Sequence, residues 1–160
     1  MKNKTIEIHF TEVDSLSELD PRDANLVLKA REASNHAWAP YSGFRVGAAV
    51  LLDNGKVIIG NNQENAAYPS GLCAERVALF AANANYPDAV VEVIAVTAQN
   101  KNGLVDDAVK PCGSCRQAIL ETEIRFSHPI RLILDGGKTM NLVDGIRNLL
   151  PLSFGKNDLL

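Results

Sequence analysis

Three cysteines lie in two short segments of this chain, and their spacing is the first indication of chemistry. Cys73 opens the segment CAERVALF, while Cys112 and Cys115 form a C-x-x-C pair inside PCGSCRQ. A C-x-x-C pair alone is compatible with either a redox couple or a zinc clamp. Because three thiols cannot all pair within one chain, their spacing indicates metal or redox chemistry and not a disulfide framework.

The predicted positions of the thiols favour a catalytic metal site. Each thiol falls at the start of a predicted helix, where free backbone N–H groups and the helix dipole stabilise a thiolate. Three thiolates would leave the fourth position of a tetrahedral zinc ion open for water, as in catalytic zinc sites. Glu75 follows Cys73 by two residues, so it is badly placed to bind the same ion but well placed to contact that water. A Cys-x-Glu segment followed by Pro-Cys-x-x-Cys is a known signature of zinc deaminases.

Strands and helices that could position these residues alternate along the chain. Pro21 after Asp20 predicts a helix start, and Asn54-Gly55 between two apolar runs predicts a β-hairpin. Further helices are predicted from about residue 73, from 111 and over 143–150, and further strands over 5–10, 90–99 and 130–135. Such alternation predicts an α/β domain with three layers.

Composition and charge narrow the range of functions. A chain of 160 residues that is 46% hydrophobic and 22% charged is ordinary for one globular domain. The net charge of −3, without a dense stripe of Lys and Arg, disfavours binding to a nucleic acid polymer. We expect a cytoplasmic protein without membrane contact, because the N-terminus lacks the apolar core of a signal peptide and no apolar run could span a bilayer.

Five segments, in order along the chain, resemble the cytidine deaminases, in the small homotetrameric class that holds zinc with three cysteines. They are YSGFRVGAA (41–49), NNQENAAY (61–68), CAER (73–76), PCGSCRQ (111–117) and LLPLSF (149–154). The resemblance covers about residues 26–154. It implies an α-β-α sandwich around a mixed sheet of about five strands, in one domain over residues 1–160 with a short N-terminal extension at about 1–20. It also implies a homotetramer.

The resemblance further implies zinc-dependent hydrolytic deamination of cytidine and deoxycytidine to uridine and deoxyuridine, with release of ammonia, in pyrimidine salvage. One Zn²⁺ per chain would be held by Cys73, Cys112 and Cys115 and would activate the water that attacks C4. Glu75 would carry protons from that water to ring N3 and to the departing ammonia. Arg76 would donate hydrogen bonds to a ligating sulfur and offset the negative charge of three thiolates.

Substrate contacts are implied in the same way. Phe44 would pack on the pyrimidine ring, and the backbone N–H of Ala74 would meet the pyrimidine O2. Asn62 and Glu64 would hold the ribose 3′-hydroxyl. Three more residues would lie near an active site shared between subunits, namely Ala66, Tyr68 and Phe154.

Two other interpretations remain open at this point. The first keeps the chemistry but changes the substrate, as in a blasticidin-type deaminase or a deaminase of another nucleoside or base; Asn62 and Glu64 favour a substrate that carries ribose. The second is a zinc-stabilised or thiol-redox binding module in which the C-x-x-C pair is structural. A closed structural zinc site would need a fourth protein ligand, and no motif supplies one.

Overall fold

One sheet of seven strands forms the centre of the fold, in a computed structural model that describes residues 1–159. The strand order is β1-β7-β6-β4-β2-β3, and β5 pairs with the end of β4. The β4–β6 pair is parallel and all other pairs are antiparallel, so the sheet is mixed, as predicted. The strands are β1 (Thr11–Val13), β2 (Arg45–Leu52), β3 (Val57–Asn61), β4 (Val91–Asn100), β5 (Gly103–Leu104), β6 (Arg131–Asp135) and β7 (Met140–Asp144).

Three α-helices lie against this sheet: α1 (Pro21–Ser34), α2 (Ala74–Asn85) and α3 (Gly113–Phe126). The helix start predicted at Pro21 is confirmed, and the Asp20 side chain caps it by accepting hydrogen bonds from two backbone N–H groups of the first turn. No helix within residues 1–159 is long and apolar enough to cross a membrane.

The hydrophobic core lies on both faces of the sheet. On one face, α1 contributes Val27 and Ala30, which pack with residues such as Ala95 of β4. On the other face, Ala78 of α2 and Ile119 of α3 belong to a second, larger cluster. The predicted three-layer α/β arrangement is therefore confirmed.

The sheet has seven strands, whereas about five were predicted. The predicted strand at 5–10 and the predicted helix at 143–150 are both wrong. The additional β1 and β5 have only three and two residues, too few to show an alternating pattern. Residues 5–10 are not a strand, because the pairing of β1 with β7 begins only at Thr11. No helix spans 143–150: β7 runs to Asp144, and only a 3₁₀ turn at Ile146–Asn148 follows.

A close approach between β3 and α2 positions the start of α2. A Cβ atom on Gly60 would lie 2.5 Å from the backbone N of Ala78 and 2.7 Å from the carbonyl O of Ala74. Because only glycine fits at this distance, β3 carries the first turns of α2 directly on its surface. The residue before that helix is Cys73.

Candidate active site

The three sulfurs meet where the N-termini of α2 and α3 converge. Cys73 is the N-cap of α2, Cys112 is the N-cap of α3, and Cys115 lies in the first turn of α3. The Sγ–Sγ distance is 3.7 Å from Cys73 to Cys112 and 3.5 Å from Cys112 to Cys115, and all three sulfurs lie within 4.8 Å of one another. The fold thus brings together thiols from two segments that are far apart in sequence.

The spacing of the sulfurs fits a tetrahedral zinc ion. A Zn–S bond of about 2.3 Å in tetrahedral geometry places ligand sulfurs about 3.8 Å apart. Cys115 is buried, Cys73 is half-buried and Cys112 is exposed, so the group opens on one side. Among residues 1–159, no other His, Cys, Asp or Glu joins this group. The donor set therefore fits one Zn²⁺ with a free coordination position.

Positive charge beside the sulfurs favours thiolate. The Nη2 of Arg76 lies 3.9 Å from the Sγ of Cys73. A hydrogen bond from the Cys115 thiol, together with Arg76, lowers the pKa of Cys73 to about 5. The same hydrogen bond and burial raise the pKa of Cys115. Of these two sulfurs, Cys73 is therefore the first to carry charge, and metal binding would displace the protons that remain on ligating thiols.

Glu75 is buried beside the sulfurs, in the first turn of α2. It is only 4% exposed, yet it lines the cavity described below. Burial raises the pKa of its carboxyl, and the charge on Cys73 adds to that effect. A raised pKa brings a carboxyl closer to the working pH, which favours general acid–base catalysis.

A cavity of about 670 Å³ opens next to the zinc ligands. Its volume lies within the range of sites for small molecules. The cavity brings together Cys73, Cys112 and Glu75 with three predicted substrate-binding residues, Phe44, Asn62 and Glu64. Phe44 is 39% exposed, so part of its ring is free to contact a ligand.

Asn62 connects the end of β3 to the start of β2 through its side-chain amide. Its Oδ1 accepts a hydrogen bond from Val46 N at 2.8 Å, and its Nδ2 donates one to Phe44 O at 2.9 Å. An amide side chain offers two N–H donors and two acceptor positions. One donor and one acceptor of Asn62 therefore remain after these two bonds.

Glu64 is held by the loop at residues 41–42. Its Oε2 accepts hydrogen bonds from Tyr41 N at 2.8 Å and Ser42 N at 3.3 Å, and its Oε1 accepts one from the Ser42 hydroxyl. The bond from the Ser42 hydroxyl, followed by the bond from Tyr41 N, lowers the pKa of the Glu64 carboxyl. A carboxylate has about four acceptor positions, so one remains, on Oε1.

The sequence analysis missed the contact made by Ser42. Ser42 lies within the YSGFRVGAA segment, two residues before Phe44, the only residue of that segment to which a substrate contact was assigned. Its hydroxyl contacts Glu64, which lies 22 positions further along the chain. A single serine in a turn carries no sequence signal for such a distant partner.

Of the remaining predicted residues, only Tyr68 lines the cavity, whereas Ala66, Ala74 and Phe154 do not. Ala74 is buried in the first turn of α2, where backbone N–H groups have no partner within the helix. Tyr68 lines the cavity and is 78% exposed. Ala66 and Phe154 do not line the cavity within one chain, and the carbonyl of Phe154 accepts a hydrogen bond from Gln117. A role for these two stays a prediction for an assembly of several chains.

Comparison with known proteins identifies similar sequences and folds. Residues 21–127 match the family model described as "Cytidine and deoxycytidylate deaminase zinc-binding region". The cytidine deaminase of Halalkalibacterium halodurans is 47% identical over 96 residues, which cover 60% of this chain and 68% of that protein. The cytidine deaminase of Sporosarcina psychrophila is 38% identical over 136 residues, covering 84% and 92%. The crystal structure of cytidine deaminase from Burkholderia pseudomallei has a TM-score of 0.69 and 35% identity, covering 81% of this chain and 97% of the other.

Proposed function

The chain belongs to the family of zinc-binding cytidine and deoxycytidylate deaminases, and from this premise we propose that it hydrolyses the C4 amino group of cytidine and deoxycytidine. The products are uridine or deoxyuridine, and ammonia. The observation that carries this proposal is the three-sulfur group, which opens beside a buried glutamate onto a cavity that suits a nucleoside.

Cys73, Cys112 and Cys115 hold the zinc ion in this proposal. When bound, Zn²⁺ supplies the Lewis acidity that activates the attacking water. Arg76 offsets the negative charge of the three thiolates, and its contact with the Cys73 sulfur supports this role. The helix dipoles at the N-termini of α2 and α3 also stabilise the negative charge of the thiolates.

Glu75 moves the protons of the reaction. Its carboxylate takes a proton from the attacking water and delivers it to ring N3, and it then helps to protonate the departing ammonia. Its burial supports this role, because burial raises its pKa and keeps bulk water away from the reacting atoms.

Phe44 and Ala74 place the pyrimidine ring. The partly exposed ring of Phe44 packs against the base, and an aromatic contact of this kind is sensitive to geometry. The backbone N–H of Ala74 donates to the pyrimidine O2, which its position at the N-terminus of α2 supports.

Asn62 and Glu64 bind the sugar through its 3′-hydroxyl. A hydroxyl can accept one hydrogen bond and donate another. The free N–H of Asn62 and the free acceptor position of Glu64 provide a matching pair. This pairing favours a nucleoside over a free base.

The working enzyme is a homotetramer of single-domain chains in the cytoplasm, where it serves pyrimidine salvage. The domain spans residues 1–160, with an N-terminal extension at about 1–20. Three free thiols suit a reducing compartment. Ala66 and Phe154 complete the pocket of a neighbouring subunit, and their exposure in the single chain supports this. Tyr68 lies near the same shared site and lines the cavity of its own chain.

The decisive experiment measures zinc content together with ammonia release from cytidine. The unmodified protein should hold one zinc per chain and release ammonia. Cys112→Ala should lose both zinc and activity without disturbing the core, because Cys112 is exposed. Ser114→Ala, an exposed position in the same turn of α3, is the matched control and should keep both. A metal-free preparation with full activity would overturn the proposal.

A further inference from the structure

Ser42 connects two groups of the proposed site that contact different parts of a nucleoside. Its hydroxyl accepts a hydrogen bond from the Phe44 N–H at 3.0 Å and donates one to Glu64 Oε1. Phe44 would contact the base, and Glu64 would contact the sugar. Ser42 itself lines the same cavity.

The backbone of Phe44 is held on both sides by this arrangement. Its N–H donates to the Ser42 hydroxyl, and its C=O accepts from Asn62 Nδ2 at 2.9 Å. The Phe44 ring projects from a backbone whose two polar groups are therefore bound to Ser42 and Asn62. Loss of the Ser42 hydroxyl would release one of these two attachments.

The orientation of the Glu64 carboxylate also depends on Ser42. Ser42 supplies two of the three hydrogen bonds that this carboxylate accepts, one from its N–H and one from its hydroxyl. The hydroxyl is the only one of the three donors that contacts Oε1, the oxygen with a free acceptor position. The Ser42 hydroxyl is the main cause of the lowered pKa of Glu64, and no charged group contributes to it.

We infer that Ser42 is a positioning residue. It holds Oε1 of Glu64, which would bind the sugar, in a fixed position relative to the Phe44 ring, which would pack on the base. It does not touch the reacting atoms. This inference rests on the proposed function, because it presupposes that Glu64 binds the sugar. It adds a specificity role for a residue that neither the zinc site nor the proton transfer requires.

The test compares cytidine with 3′-deoxycytidine, which lacks the hydroxyl that Glu64 would bind. Ser42→Ala should lower kcat/KM for cytidine about 10-fold or more, as expected when a hydrogen bond to a charged group is disturbed. The kcat/KM for 3′-deoxycytidine should fall less, so the ratio of kcat/KM for cytidine to kcat/KM for 3′-deoxycytidine should decrease. Ser42→Thr keeps the hydroxyl and should restore the ratio.

Two further variants separate a positioning role from a general loss of structure. Glu64→Gln should lower the same ratio of kcat/KM values. The double variant Ser42→Ala/Glu64→Gln should lower it no further, because both changes act through the contact of Glu64 with the 3′-hydroxyl. Ser17 is an exposed serine whose hydroxyl hydrogen-bonds to that of Ser15, and it does not line the cavity. Ser17→Ala should therefore leave kcat/KM for both substrates unchanged. Melting temperatures of all variants report on folding.

The outcomes distinguish this inference from the proposed function. If Ser42→Ala slows both substrates by one factor, Ser42 is merely structural and the inference is wrong. If Glu64→Gln narrows the ratio and Ser42→Ala does not, the inference falls while the sugar contact of Glu64 stands. If the unmodified enzyme deaminates cytidine and 3′-deoxycytidine equally well, both the sugar contact and the inference are overturned, but deamination stands.

Discussion

Two glutamates of the proposed site have surroundings that suit them to opposite tasks. Burial in the first turn of α2 raises the pKa of Glu75, whereas the Ser42 hydroxyl and the backbone of the 41–42 loop lower the pKa of Glu64. The surroundings of Glu64 therefore favour its carboxylate form, which only accepts hydrogen bonds, while those of Glu75 favour its protonated form more than usual. Environments that separate the pKa values of two carboxyl groups are a common way to assign different roles to them.

Glu75→Gln tests the proton-transfer role at the scale of one residue. The variant should lower kcat by at least ~10²-fold, because the amide keeps the shape of the carboxyl but cannot carry the proton. Zinc content and nucleoside binding should be retained. Steady-state kinetics and metal analysis check this, with Glu121→Gln on the exposed side of α3 as the control. Near-normal turnover in Glu75→Gln would show that another group moves the proton.

At the scale of the elements, a buried ion pair joins α1 to the sheet. Arg31 in the last turn of α1 donates two hydrogen bonds of 2.8 Å to Asp135, the last residue of β6. The hydroxyl of Thr97 in β4 donates a third at 2.7 Å. Because the Asp135 side chain is fully buried, removal of its charged partner would leave a buried charge without compensation.

Arg31→Met should therefore lower the free energy of unfolding by about 3–5 kcal/mol, the usual cost of breaking a buried pair by removing one partner. Urea denaturation measures this. Arg22→Met is a matched control on the same helix, because Arg22 pairs with Glu92 at the surface. A surface pair contributes at most about 1 kcal/mol. Equal, small losses in both variants would mean that water reaches Asp135 after the substitution.

At the scale of the whole molecule, several aromatic side chains are exposed on the surface of the single chain. Phe80, Tyr68 and Phe154 are 48%, 78% and 59% exposed, respectively. Single exposed apolar residues are ordinary, so exposure alone does not identify an interface. If Phe154 completes the pocket of a neighbouring chain, the activity depends on the assembly, and this dependence can be tested.

We predict a homotetramer whose active sites combine residues of neighbouring chains. Light scattering at assay concentration should give the mass of four chains. Phe154→Ala and Glu75→Gln should each be nearly inactive alone, but their co-expression should recover activity. The recovery is expected because a chain with intact Glu75 can then lie beside a neighbour with intact Phe154. A fully active monomer, or the absence of recovery, would contradict the shared site.

Local sequence signals predicted the elements and groups that depend on neighbouring residues. Asp20-Pro21 marked the start of α1, and Asn54-Gly55 marked the turn between β2 and β3, where Gly55 has a φ of +79°. The C-x-x-C spacing places Cys112 at the N-cap of α3 and Cys115 in its first turn, and Glu75 lies in the first turn of α2, just after the N-cap Cys73. Such relations hold because backbone geometry connects residues only a few positions apart.

Long-range packing decided the features that no local pattern encodes. Alternation in residues 5–10 predicted a strand, but β7 offers a partner only from Thr11 onward. The approach of Cys73 to Cys112 requires α2 and α3 to converge, and Gly60 lets α2 lie that close to the sheet. The contact of Ser42 with Glu64 likewise joins two loops. Forming these contacts costs chain entropy, and only burial of the core offsets that cost. They depend on the whole fold and therefore could not be predicted from local sequence patterns.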